Sequence, residues 1–220
     1  MRRKQITREL IVSSFLTAAA EKSPGSISLT DVSEILEIKK ASLYNHFSSR
    51  EEIYNATLDY CQSEILNATY ISDENKEIAK SPKSNALSIF KNIITQYFKL
   101  YESEPFFKMY AFVYSEQYFN RKAMEISLAA YKRISDETKL LLKTFKDSGK
   151  CRADEKDLKD ISVIFSSLLF TQLDNYIAQK KEIIRQNPDA GVGSLFALPT
   201  DETSLNKSLK IILSYLESVL

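Results

Sequence analysis

The sequence predicts an all-α fold, and three observations carry that prediction. The 220 residues include only four Gly and five Pro, too few for the turns of a strand-rich chain. Apolar residues recur at helical spacing over most of the length. The strong breakers sit together, at Ser23-Pro24-Gly25-Ser26, at Pro105, at Gly149-Lys150 and across Asn187–Asp201, which leaves long uninterrupted stretches between them. A hydrophobic content of 44% is enough to fill a sizeable core.

Taken in order, residues 1–6 form a basic arm in which Arg2, Arg3 and Lys4, with Arg8 just beyond, face only Glu9. Thr7 to Lys22 follows as an amphipathic helix whose stripe is Ile11, Phe15, Ala18 and Ala19. Ser28 starts the next helix as an N-cap, with Asp31 three residues on as a weak capping box. Leu29, Val32, Ile35 and Leu36 are expected on its inner face. Glu37-Ile38-Lys39 makes a tight turn. Lys40 to Phe47 makes a helix of about two turns, held by Leu43 and Phe47 four residues apart. Lys39, Lys40, Ala41, Ser42, Tyr44, Asn45 and His46 then point mostly outward. That face is cationic, hydrogen-bonding and small, as suits a helix pressed into a DNA major groove.

Ser49 is the N-cap of a helix reaching about Tyr70, with Arg50 beside its free N–H groups as a phosphate grip. Residues 71–83 are polar and predict a loop with frayed helix. Further helices are predicted over 84–102, 106–118, 120–148, 154–186 and 203–220, with Asn187–Asp201 as a loop.

The stretch Ile38 to Tyr54 (IKKASLYNHFSSREEIY) resembles the DNA-binding motif of the TetR family of transcriptional regulators. The L-Y-x-H-F core stands as Leu43, Tyr44, Asn45, His46 and Phe47. After it come Ser49, Arg50 and the triplet Glu51-Glu52-Ile53. One departure is Glu37, where the family has Gly; a left-handed backbone at that site costs a non-Gly residue about 1 kcal/mol. The resemblance implies a three-helix helix-turn-helix DNA-binding domain over 1–50. It implies a larger helical domain for effector binding and dimerisation over 51–220. It also implies double-stranded operator DNA as partner, a small-molecule effector, a homodimer and a cytoplasmic location. Thr30, Lys39, Lys40, Ala41, Ser42, Tyr44, Asn45, His46 and Arg50 are the expected DNA contacts.

Ten of the 24 aromatic residues lie in the 23 positions from Tyr97 to Phe119. Core packing explains most single rings, but the density also suits a pocket with polar ends. Tyr97, Tyr101, Phe106, Tyr110 and Tyr114 are its candidates. Two apolar bands predict association: Ile161, Ile164, Phe165, Leu168, Leu169, Leu173 and Tyr176 in the helix over 154–186, and Ile211, Ile212, Tyr215, Leu216, Val219 and Leu220 in the helix over 203–220.

Other function classes fit poorly. The single His is His46, inside the motif, so no Ser-His-Asp or Cys-His arrangement is available elsewhere. There is no Gly-rich phosphate loop, and no ligand spacing for a metal or cofactor. Cys61 and Cys151 read as two free thiols in a reducing compartment. No uninterrupted apolar run matches a bilayer, and no signal-type core follows the basic start. The net charge of +1 decides nothing, because positive charge can be local. A helical ligand-binding or adaptor protein with a vestigial motif is the alternative, and Glu37 is the feature that favours it.

Overall fold

A computed structural model describes residues 5–186 and 202–220, and among these no strand occurs. Residues 1–4 of the basic arm expected over 1–6, and the expected loop over 187–201, lie outside the described residues. Nine α-helices are described: α1 Arg8–Glu21, α2 Leu29–Ile35, α3 Arg50–Asn67, α4 Asp73–Lys80, α5 Ala86–Glu102, α6 Phe106–Glu116, α7 Arg121–Asp147, α8 Leu158–Gln186 and α9 Glu202–Val219. Short 3₁₀ helices stand at Pro24–Ser26, Lys40–Asn45 and Glu155–Asp157.

The caps explain most of the boundaries. The Thr7 hydroxyl accepts from the Leu10 N–H at 3.3 Å to start α1. Ser49 Oγ accepts from Glu52 N–H at 3.1 Å, and Asn85 Oδ1 from Ser88 N–H at 2.9 Å, ahead of α3 and α5. Asn120 Oδ1 accepts from Ala123 N–H at 3.1 Å and sets the start of α7. Gly149 closes that helix at φ 75°, a left-handed conformation that suits Gly.

Two expectations are corrected here. Residues 73–80 form a helix where a frayed loop was expected. Ser72 Oγ caps it at Asn75 N–H, Asp73 and Glu74 fill its first turn, and Lys80 its last, so charges complement the helix dipole at both ends. Ile35 is 43% exposed rather than on the inner face of α2. Six residues on from Leu29 is about 240° round a helix of 3.6 residues per turn, so the inner positions fall to Val32 and Ser33.

The chain forms two compact units, Met1–Asn67 with Lys108–Leu128, and Ala68–Phe107 with Ala129–Leu220. This grouping differs from a cut at residue 50. In the first unit the stripe Ile11, Phe15, Ala18 and Ala19 is buried as predicted, with Leu43, Phe47, Ile53 and Leu58. Phe15, Tyr54 and Phe112 meet edge-on at centroid distances of 5.5–6.2 Å, which joins α1, α3 and α6.

In the second unit Phe90 of α5 meets Phe145 of α7 and Phe165 of α8 at 5.6 and 5.2 Å. The predicted α8 band is mostly core: Ile161, Phe165, Leu169, Leu173 and Tyr176 are buried, which leaves Ile164 exposed and Leu168 half-buried. In α9, Ile212 and Leu216 are buried while Ile211 is exposed. The stretch Glu155–Gln186 has the length and composition to cross a membrane, but 44% of its most apolar window is buried in the molecule. One ion pair is also internal. Glu102 Oε1, at the end of α5, accepts from Lys180 Nζ at 2.5 Å and from Tyr176 OH at 2.9 Å, with both charged side chains about 90% covered. Lys150 Nζ donates to the carbonyls of Ala79 and Ser81 and to Ser84 Oγ, which satisfies the C-terminal end of α4.

Leu216→Ala should therefore cost about 2–5 kcal/mol in urea unfolding, the usual loss for a fully buried Leu. Ile78→Ala, at an exposed site on α4, should cost less than about 1 kcal/mol.

Candidate nucleic-acid interface

The candidate interface begins at Ser28. Its Oγ accepts from Asp31 N–H at 3.2 Å, and Asp31 Oδ2 accepts from Ser28 N–H at 2.7 Å, so the capping box is complete. Lys22 Nζ reaches the other Asp31 oxygen at 2.5 Å. That donation, with those of Ser28, draws the Asp31 carboxyl down to about 2.

The chain leaves α2 through a sharp turn. Glu37 stands at φ 55°, the left-handed region that the glycine-free sequence here predicted to be costly. The turn is closed by Glu37 N–H donating to Glu34 O and Ile38 N–H to Ser33 O, both at 3.0 Å. Ile38 is half-buried beneath it.

The next segment, Lys40–Asn45, is a 3₁₀ helix rather than the expected two turns of α-helix. Ser42 N–H donates to Lys39 O at 2.8 Å, and His46 and Phe47 N–H both donate to Leu43 O at 3.0 Å. Leu43 and Phe47 are buried at 1% and 2%, as the spacing predicted. Lys39, Lys40, Ala41, Tyr44 and Asn45 are exposed, Ser42 and His46 half-buried, and Thr30 is exposed in the first turn of α2. The structure thus brings eight of the nine expected contact residues to one short, accessible stretch and the helix end before it.

Arg50 is placed differently. Its Nε donates to Ile27 O at 2.6 Å and its Nη2 to Pro24 O at 2.5 Å, and its guanidinium stands 5.7 Å from the Phe15 and Tyr54 rings. The phosphate grip expected of it meets a guanidinium that is largely spent on the carbonyls leading into α2.

A second guanidinium, Arg8, was read from the sequence only as part of the basic start of the chain. Its Nη2 donates to Glu52 Oε1 at 2.9 Å, its Nη1 donates to the His46 carbonyl, and it lies 3.9 Å over the Phe47 ring. Glu52 Oε2 accepts from Ser48 N–H and Oγ at 2.7 and 2.8 Å. The Ser48 N–H bond, then Arg8, holds the Glu52 carboxyl down at about 2. No spacing rule links positions 44 residues apart, so the sequence offered no signal for this pair.

The aromatic candidates are divided between the two units. Tyr97, Tyr101 and Phe106 belong to the second unit, where they run ring to ring with Tyr70 at 5.4, 4.9 and 5.7 Å. Tyr110 and Tyr114 belong to the first unit and stack at 4.1 Å. Tyr118 and Phe119, part of the same dense run, are 82% and 87% exposed. Tyr54 OH donates to Glu116 Oε2 at 2.6 Å within the first unit; burial, then that carboxylate, pushes the phenol well above its ordinary value.

No family model matches the chain. A relative in Staphylococcus epidermidis, described as the biofilm operon icaADBC HTH-type negative transcriptional regulator IcaR, is 37% identical over 54 residues, 24% of this chain and 29% of its own length. The Staphylococcus aureus (strain Newman) protein of the same description is 24% identical over 161 residues, 72% of this chain and 79% of its own length. A TetR transcription regulator from Haloarcula marismortui matches at TM-score 0.63 and 10% identity over 97% of both chains. A SmeT–triclosan complex matches at TM-score 0.55 and 15% identity, over 94% of this chain and 91% of that one. The two structural likenesses extend over nearly the whole chain and establish the fold.

Arg50→Ala should lower stability by about 2–3 kcal/mol, because two carbonyls lose a charged donor, with a partial recovery in Arg50→Lys; urea midpoints measure both. The Arg8–Glu52 clamp should respond to acid. Its folded carboxyl titrates near 2, below the ordinary value of 4.5, so the clamp is complete above about pH 4.5 and is lost as pH falls toward 2. Glu52→Gln should remove that part of the acid sensitivity in a melting-temperature series.

Proposed function

We propose that this chain, a TetR-type transcriptional regulator in fold and motif, is a repressor that binds a palindromic operator as a homodimer and is released by a small apolar or aromatic effector. DNA binding is assigned to residues 1–50, effector binding and dimerisation to 51–220. The observation that carries the proposal is the segment from Lys39 to His46. Its cationic and hydrogen-bonding side chains are accessible while Leu43 and Phe47 lock its other side. A relative described as a negative transcriptional regulator supports the repressing sense.

In this reading Thr30, Lys39, Lys40, Ala41 and Ser42 meet base edges or nearby phosphates. Tyr44, Asn45 and His46 meet the backbone, and Arg50 acts mainly by positioning the start of α2. A two-fold operator needs a two-fold protein. Val163, Ile164 and Ile211 are exposed on α8 and α9, with Leu168 and Tyr215 half-buried beside them, and we assign the dimer contact there. The effector is placed in the second unit, where it would part the rings of Tyr97, Tyr101 and Phe106. A structural neighbour solved with triclosan supports an aromatic class. Release then follows from a shift of α3, whose Tyr54 is tied to Glu116 of α6. Because binding is linked, operator DNA must weaken the effector by the factor by which the effector weakens DNA. The site of action is the cytoplasm, with the DNA.

The alternative, a helical ligand-binding or adaptor protein with a vestigial motif, rests on Glu37. A mobility-shift assay with the DNA flanking its own gene separates the two, and absence of any retarded complex would remove the repressor reading.

Lys40→Ala should relax sequence choice by about 1–3 kcal/mol if Lys40 reads a guanine; equal loss on operator and random DNA would show that it only neutralises phosphate. Ile164→Glu or Leu168→Glu should give folded monomers with poor operator affinity. A wild type that sediments as a monomer at concentrations where it binds operator would refute the assembly.

A further inference from the structure

Glu37 is the sole non-glycine residue at positive φ among the described residues. Its side chain is exposed, and among the described residues it makes no hydrogen bond or ion pair. Lys39 and Lys40 are exposed too, and neither is paired with a carboxylate among the described residues. Glu34, exposed in the preceding turn, adds a second negative charge, and its carbonyl accepts from Glu37 N–H at 3.0 Å. The turn therefore bears two acids against two lysines at the point where the motif meets its ligand. Packing does not explain Glu37, and its backbone conformation disfavours it, so what it contributes is charge.

We infer that the Glu37 carboxylate is an electrostatic brake that lowers the affinity of this motif for duplex phosphate. Three residues of chain span at most about 10 Å, so Glu37 stays near both lysines. The screening length is also about 10 Å at 0.1 M salt. A duplex gripped by Lys39 or Lys40 thus lies within range of Glu37 whatever the docking angle, and the repulsion needs no particular base sequence. Random DNA, held by phosphate contacts alone, is released faster than the two lysines would otherwise allow.

The inference rests on the DNA-binding reading above, and the test keeps the two apart. Wild type, Glu37→Gln and Glu37→Gly are titrated at 50 and 200 mM salt against a random duplex and a duplex from the flank of the gene, and their melting temperatures are compared. Glu37→Gln keeps the backbone cost and removes the charge. It should tighten both duplexes about two- to tenfold at low salt, with the gain shrinking at high salt and the melting temperature unchanged. Glu37→Gly should tighten DNA by the same factor and also melt higher. No gain in Glu37→Gln, a gain indifferent to salt, or tightening in Glu37→Gly alone overturns the brake. Loss confined to the flanking duplex overturns it as well, since Glu37 would then read a base. A wild type that binds neither duplex sinks the DNA-binding reading, whereas a wild type that binds both beside an inert Glu37→Gln sinks only this inference.

Discussion

A 3₁₀ helix of six residues cannot hold its own shape in water. Its hydrogen bonds are poorly aligned and too few to repay the ordering of the chain. The Lys40–Asn45 segment is therefore defined by what fixes its ends. Leu43 and Phe47 sink into the core at one side. Arg8 seals the exit by joining the His46 carbonyl, the Phe47 ring and Glu52. Arg50 fixes the approach by holding the Pro24 and Ile27 carbonyls. The accessible side chains between those anchors inherit their geometry from α1 and α3, not from local helix propensity.

The same logic of anchoring by charge recurs in the second unit. The buried Glu102–Lys180 pair costs desolvation that its attraction only roughly offsets, so its value lies in fixing α5 against α8 rather than in net stability. Lys150 does the equivalent at the end of α4, where three acceptors meet one ammonium.

Much of this was legible in the sequence, for physical reasons that can be named. The all-α class, the order of the helices and the inward turn of Ile11, Phe15, Leu43 and Phe47 follow from apolar periodicity. Ser28, Ser49 and the left-handed strain at Glu37 follow from backbone chemistry. The misses share a cause as well. The helix at Asp73–Lys80 is built from capping and charge with little apolar signal, so its pattern read as a loop. The apolar band of α8 was visible, but periodicity does not say whether a face meets its own chain or another, and most of it is core. Arg8 and Arg50 act on residues 23 to 44 positions away, a separation at which local pattern says nothing. Eight of the residues expected at the interface share one accessible stretch and the helix end before it, whereas the aromatic candidates divide between two units.

The first unit is not contiguous in the chain: Lys108–Leu128 returns to join Met1–Asn67. During synthesis the N-terminal helices therefore emerge well before Phe112 and Glu116, the partners of Phe15 and Tyr54. A nascent chain halted between residues 54 and 112 holds the whole motif but an unfinished core beneath it. The core that supports the motif is thus complete only once more than half of the polypeptide has left the ribosome, so a truncated product carries the motif without its full support.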